Sequence, residues 1–165
     1  MRIGIVGYGS GGKNFHAPFI SAAKGLELAG IVARAPATIA SAQADFPDVP
    51  IYPSLTAMLA AGIDIVTITT PPATRRELVL EAIAAGVAVI ADKPFAPDAK
   101  TGRELAAAAK AKGVLLSVFH NRRFDADIQT LRKVLQQHRP GQIWRLHNRL
   151  GLDDPLTREG GESGG

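Results

Sequence analysis

The chain has 165 residues, 46% of them hydrophobic and 21% charged, with a net charge of +4 and no cysteine. That length holds one well-buried domain, or one domain plus part of another, and the composition excludes disorder over most of the chain. The missing cysteines exclude disulfides and thiolate metal sites, no run reaches the roughly eighteen apolar residues of a membrane span, and scattered Lys and Arg residues without interleaved aromatics argue against nucleic acid.

Met1 to Asn14 reads MRIGIVGYGSGGKN. Ile3, Ile5 and Val6 form a short apolar strand that runs directly into Gly7, Gly9 and Gly12, and a helical segment follows. This is the order a dinucleotide requires. Gly7 permits the tight turn, Gly9 lets the backbone approach a pyrophosphate, and Gly12 lets the helix pack against the strand, with first-turn N–H groups facing the anion. The helix spans Lys13 to Ala23, with a kink or restart expected near Ala17 because Pro18 lacks a donor and crowds the preceding turn. His16 has no partner at metal-ligand spacing and reads as a packing or capping residue; no metal site is expected.

Leu28 to Ala33 is the second strand and Ala37 to Asp45 the next helix. Three prolines surround Ile51-Tyr52, which suits a short edge strand. Ser54 or Thr56 then caps a brief helix through Ala61. Ile63 to Thr69 is a strand stopped at Thr70-Pro71-Pro72, Thr74 caps a helix from Arg75 to Ala85, and Gly86 ends it. Val87 to Ala91 is a strand ended by Asp92-Lys93-Pro94. Ala99 to Lys112 is a helix ended by Gly113, and Val114 to Phe119 is the sixth strand. Strand and helix alternate six times, which predicts a parallel, doubly wound six-stranded α/β sheet with right-handed crossovers. Ligands of such sheets bind beyond the carboxyl ends of the strands. The positions to inspect are therefore Gly7 to Gly12, Arg34, Thr70 to Pro72, Asp92 to Pro94, and His120 to Arg123.

From Asp125 the texture changes. Ile128, Leu131, Val134 and Leu135 make one apolar helical stripe, Pro140-Gly141 a turn, and Gln142 to Leu150 a further strand with Trp144, Leu146 and Leu150 on one face. The remaining GLDDPLTREGGESGG has no periodicity and reads as a mobile glycine-rich tail. The expected organisation is a cofactor domain over residues 1–121, then the beginning of a truncated second domain, one helix and one strand, over 122–165. The lone strand would expose an unpaired edge, so it is expected either to pair with another copy of the chain, giving a homo-oligomer, or to stay poorly ordered.

GYGSGG, TPP before a helix, DKP after the fifth strand and NRRFD after the sixth together resemble the N-terminal portion of a Gfo/Idh/MocA oxidoreductase. The resemblance covers Met1 to Leu150. It implies a Rossmann domain for NAD or NADP, joined to a larger α/β domain that carries substrate contacts and often the oligomer interface. It also implies hydride transfer to or from a sugar, polyol or related hydroxy compound; the lack of cysteine, of an apolar span and of a basic run is what points to a cytoplasmic protein with no membrane or nucleic-acid partner. Under it the cofactor is held by Gly7, Tyr8, Gly9, Ser10, Gly11 and Gly12, by Thr70 and Pro71, by Asp92 and Lys93, and by Asn121. Lys93 matches the family lysine beside the reacting carbon and is the candidate catalytic residue. Asp92 replaces the usual glutamate, Arg75 stands where many members carry histidine, and the family's later histidine motif has no counterpart before the sequence ends.

Cofactor choice is argued from one position. A carboxylate roughly twenty residues past the glycines takes the ribose hydroxyls of NAD. Here that place reads Val32-Ala33-Arg34. The planar fork of Arg34 suits a 2′-phosphate, so NADP is the expected preference. Two functional classes remain: an oxidoreductase represented by its cofactor portion, or a non-catalytic dinucleotide-binding or assembly module. In either case the 165-residue chain is expected to bind cofactor without turning over substrate.

Overall fold

A computed structural model describes residues 1–138 and 140–147. Residues Met1–Asn121 form one compact unit. It is built on a six-stranded, all-parallel sheet. The strands are β1 (Arg2–Val6), β2 (Glu27–Val32), β3 (Ile51–Tyr52), β4 (Ile65–Ile68), β5 (Ala88–Ala91) and β6 (Leu116–Val118), in the spatial order β3-β2-β1-β4-β5-β6. The chain order reverses between β1 and β4, which makes that junction the switch point of the doubly wound fold.

The central strands are mainly apolar because both faces are covered, with Arg2 and Glu27 exposed where β1 and β2 begin. On one face Val6, Val32, Val66, Ile68 and Val89 pack with residues of α3 (Leu55–Ala60), α4 (Pro72–Ala84) and α5 (Ala99–Lys112). On the other, Ile3, Ile5, Leu28 and Ile31 pack with α1 (Ala17–Ala22) and α2 (Pro36–Asp45). Met58 of α3 lies flat on β1 and β2: a Cβ at Gly4 would come 2.5 Å from its sulfur, and one at Gly30 would come 2.7 Å from the Tyr52 ring. These two glycines therefore make room for side chains that cross the sheet.

Local chemistry accounts for most element ends. Pro18 falls in the first turn of α1, where a missing N–H leaves no bond unmade, and the expected break near Ala17 takes the form of a change of pitch from a π-helical turn (Gly11–His16) to α-helix. Ser54, not Thr56, caps α3 by accepting from Ala57 N at 3.1 Å. Asp98 caps α5 by accepting from Thr101 N at 2.8 Å. The cap expected from Thr74 is not formed. Helix α4 begins earlier, at Pro72, whose fixed φ suits the first helical position, and Thr74 donates its hydroxyl to Pro71 O inside the first turn.

After Asn121 a short 3₁₀ turn (Asn121–Phe124) and α6 (Ala126–His138) follow, as the apolar stripe predicts. The strand expected over residues 142–150 is not formed at Gln142–His147, and its last three residues lie outside the described region, as does the glycine-rich tail. A strand needs a neighbour to complete its hydrogen bonds, and none of the described residues supplies one. Trp144 is 86% exposed there. Among the described residues, no helix is long and apolar enough to cross a membrane.

Candidate functional site

Register aligns the strand ends. Val6 pairs with Val32 on one side and Ile68 on the other, Ile68 with Ala91, and Ala91 with Val118. The residues that follow this row, Gly7, Ala33-Arg34, Thr69-Thr70, Asp92-Lys93 and Phe119-His120, therefore emerge along one edge of the sheet. Positions separated by up to 113 residues of sequence are brought together by parallel pairing alone.

The glycine turn begins at Gly7, whose φ of +94° is readily accessible to glycine and whose N–H donates to Val32 O at 3.0 Å. Gly12 is required by space: a Cβ there would lie 2.3 Å from Gly7 O. A Cβ at Gly9 would meet no protein atom within 4 Å. Gly9 and Ser10 are exposed and no side chain caps the helical turn that starts at Gly11, so its N–H groups can serve an anion. Thr69 braces the turn from β4, donating its hydroxyl to Gly7 O at 2.7 Å. Tyr8 is turned inward. Its ring is buried against Phe46 and its hydroxyl donates to Asp45 at 3.0 Å, which pushes the phenol pKa up to about 12 and leaves only its backbone at the turn.

Arg34 is exposed just past β2 and takes part in none of the ion pairs among the described residues. Across the switch point, Thr70 has a buried hydroxyl without a hydrogen-bond partner, and Pro71 is exposed at the start of α4. Lys93 is exposed on the loop after β5. Asn121 is half-buried at the start of the 3₁₀ turn.

The Asp92 carboxylate faces inward, toward the protein. One oxygen accepts from Lys93 N at 2.7 Å, and the other lies 3.7 Å from His16 Nε2 and 3.0 Å from where a Cβ on Gly11 would stand. His16 is 3% exposed, with its ring 4.0 Å from that of Phe119 and Nδ1 3.4 Å from Thr67 Oγ1. Burial holds its pKa below the ordinary value, against the opposing attraction of Asp92. It is a packing residue, as its lack of ligand partners predicts.

Arg75, on the first turns of α4, is 2% exposed. Its guanidinium donates to Asp92 O at 2.6 Å and also to Pro94 O and Thr70 O. Burial lowers its pKa, and the charge of Asp92 partly offsets that. Reading by motif passes over Thr69 and places Arg75 without giving it a role. Arg75 left a signal: with Val79, Ala82 and Ile83 it falls on the buried stripe of α4, where a charge needs an explanation.

The sheet order, the glycine turn at the switch point and the in-register strand ends define a dinucleotide-binding α/β domain. Residues 1–120 match the sequence profile of the GFO_IDH_MocA oxidoreductase family, with its NAD-binding Rossmann fold. The chain belongs to that family. It is 36% identical over 160 residues to the uncharacterized oxidoreductase YdgJ of Escherichia coli, covering 96% of this chain and 45% of YdgJ. It is 34% identical to the scyllo-inositol 2-dehydrogenase (NADP(+)) IolW of Bacillus subtilis, covering 83% of this chain and 38% of IolW. Among solved structures, the WlbA dehydrogenase of Chromobacterium violaceum in complex with NADH and UDP-GlcNAcA superposes with a TM-score of 0.76 at 30% identity, covering 86% of this chain and 41% of that one. The chain thus spans less than half the length of these relatives.

Proposed function

We propose that this chain is the cofactor-binding portion of an NAD(P)-dependent oxidoreductase that moves a hydride between the nicotinamide and a sugar, polyol or related hydroxy compound, with a preference for NADP. The observation that carries the reading is the aligned edge, where the glycine turn, Thr70 and Lys93 follow paired residues of β1, β4 and β5. The local chemistry fits the cofactor. The turn has open backbone at Gly9 and an uncapped helical start, and Thr70 keeps an unsatisfied buried hydroxyl beside it. IolW, whose name specifies NADP(+), supports the cofactor preference, and the inositol substrate in that name supports the hydroxy-compound class.

The bound nicotinamide supplies the hydride acceptor or donor. The chain supplies the rest of this half of the reaction. Backbone N–H groups from Gly9 to Gly12 hold the pyrophosphate, with Gly7 and Thr69 fixing their direction. The guanidinium of Arg34 pairs with the 2′-phosphate. Thr70, Pro71 and Asn121 border the nicotinamide end, and the Lys93 side chain holds or moves the proton of the reacting hydroxyl. Asp92 contributes by orienting Lys93 from behind, since its carboxylate is engaged inside the protein. The setting proposed is cytoplasmic, with a small-molecule substrate and association of copies involving the exposed Trp144 and Leu146.

Calorimetric titration of the 165-residue chain with NADP(H) and NAD(H), repeated on Arg34→Ala, tests the cofactor reading. NADP(H) is expected to bind tighter than NAD(H), and Arg34→Ala to lose about 1.5–3 kcal/mol of NADP(H) binding with NAD(H) unaffected. Tighter NAD(H) binding by the wild type, or unchanged NADP(H) affinity in the variant, overturns the preference. No hydride transfer is expected from this chain with any panel of sugars or polyols.

A further inference from the structure

Three buried side-chain atoms without hydrogen-bond partners are His16 Nε2, Thr70 Oγ1 and Arg75 Nε. His16 and Arg75 both lie beside Asp92, and Thr70 gives its carbonyl to Arg75. Buried polar atoms are seldom left unmatched. All three lie at or beside the loops after β4 and β5.

Arg75 is the centre of this cluster. Its guanidinium reaches both loops at once: Thr70 O on the turn after β4, and Asp92 O and Pro94 O on either side of Lys93. None of these acceptors is a carboxylate. A buried guanidinium is costly to desolvate, and carbonyl oxygens return only part of that. An apolar residue in step with Val79 and Ile83 would serve the core better. What the guanidinium provides is geometry: a rigid planar fork whose donors fix the distance between two loops.

Those loops serve one end of the ligand. In a sheet of this order the adenosine ribose lies past β2, near Arg34, and the pyrophosphate at the turn after β1. The nicotinamide therefore falls on the β4–β5 side. We propose that Arg75 is a positioning residue that locks the Thr70 turn to the Lys93 loop, so that the nicotinamide end of the cofactor is held in place while the adenosine end is independent of it. This rests on the cofactor reading given above.

Arg75→Lys keeps the charge but replaces the fork with a single ammonium, and Arg75→Gln keeps hydrogen bonding without charge. Each is titrated with NADPH, which spans both ends, and with 2′,5′-ADP, which occupies only the adenosine end. Both variants are expected to bind 2′,5′-ADP as the wild type does. Both are expected to lose NADPH affinity by about tenfold or more, as when one charge-assisted contact is misplaced. The emission enhancement of bound NADPH should fall in parallel, and amide exchange should quicken over residues 69–72 and 92–95. Excess 2′,5′-ADP stabilises a marginal variant through the end Arg75 does not touch, so exchange can still be measured on folded protein.

Equal losses for both ligands, no loss for either, or failure to fold even with excess 2′,5′-ADP would show that Arg75 serves general stability and would overturn the assignment. A wild-type chain that binds neither probe would instead overturn the cofactor reading, and this inference with it.

Discussion

The two halves of the sheet fix their loops by opposite means. On the β1–β2 side the turn is shaped by taking side chains away: Gly12 lets a helix come within contact of Gly7 O, and Gly7 takes a left-handed φ of +94°. On the β4–β5 side the loops are shaped by putting a large charged side chain in, with Arg75 buried among three carbonyls. A pyrophosphate is recognised by backbone, and backbone is best exposed by glycine. The proposed reacting side chain, Lys93, has to be presented by a loop that keeps its side chains, and such a loop needs a brace.

Gly12→Ala attacks the first half directly. The new Cβ would stand 2.3 Å from a backbone oxygen that cannot rotate away, so a loss of about 3 kcal/mol or more is expected in urea unfolding, with dinucleotide binding abolished. A stable variant that still bound cofactor would show that the turn tolerates a wider helix and that the glycines are not what shapes it.

Lys93→Ala sharpens the second half by separating the presented group from its support. Lys93 is exposed, so urea stability should be nearly unchanged, and because its proposed role is toward the reacting hydroxyl, cofactor affinity should stay nearly intact. In a version extended to the length of the relatives, turnover should fall by about 10²-fold. Full turnover would remove Lys93 from the chemistry.

The smallest effect concerns the residue that joins the halves. His16 leaves the glycine side and faces Asp92 on the Lys93 side, with Thr67 and Phe119 against its ring, while Arg75 donates to the Asp92 carbonyl. Burial lowers its pKa from the ordinary 6.5. As pH falls below that value the unfolded chain takes up a proton that the native state resists, so stability should decline from there downward, and above it this group contributes no slope. His16→Gln should flatten that part of the pH profile. An identical slope in both proteins would mean that His16 titrates alike in both states.

The C-terminal segment taught a limit of pattern reading. Alternation at Gln142 to His147 satisfied the period of a strand, but no partner stands beside it among the described residues, and a strand is defined by its neighbour. Helix α6 was legible because a helix makes its own hydrogen bonds. Thr74 shows the same contrast on a smaller scale. It has the chemistry of a cap, but the helix starts at Pro72, three positions before the expected Arg75.

Local alternation of apolar runs and helix formers, punctuated by glycine and proline, was enough by itself to determine the six strands, their order in the chain and the turn built from Gly7, Gly9 and Gly12. Each of these depends on residues within a few positions of one another. The tertiary structure decided where the charged and polar side chains went. Asp92 points inward toward His16 and Gly11, Tyr8 is buried with its hydroxyl on Asp45, and Arg75 ties Thr70 to Asp92 and Pro94. Those outcomes required parallel pairing to bring distant strand ends into one row, because only there do desolvation and long-range hydrogen bonds determine which groups stay exposed along that edge and which hold the loops.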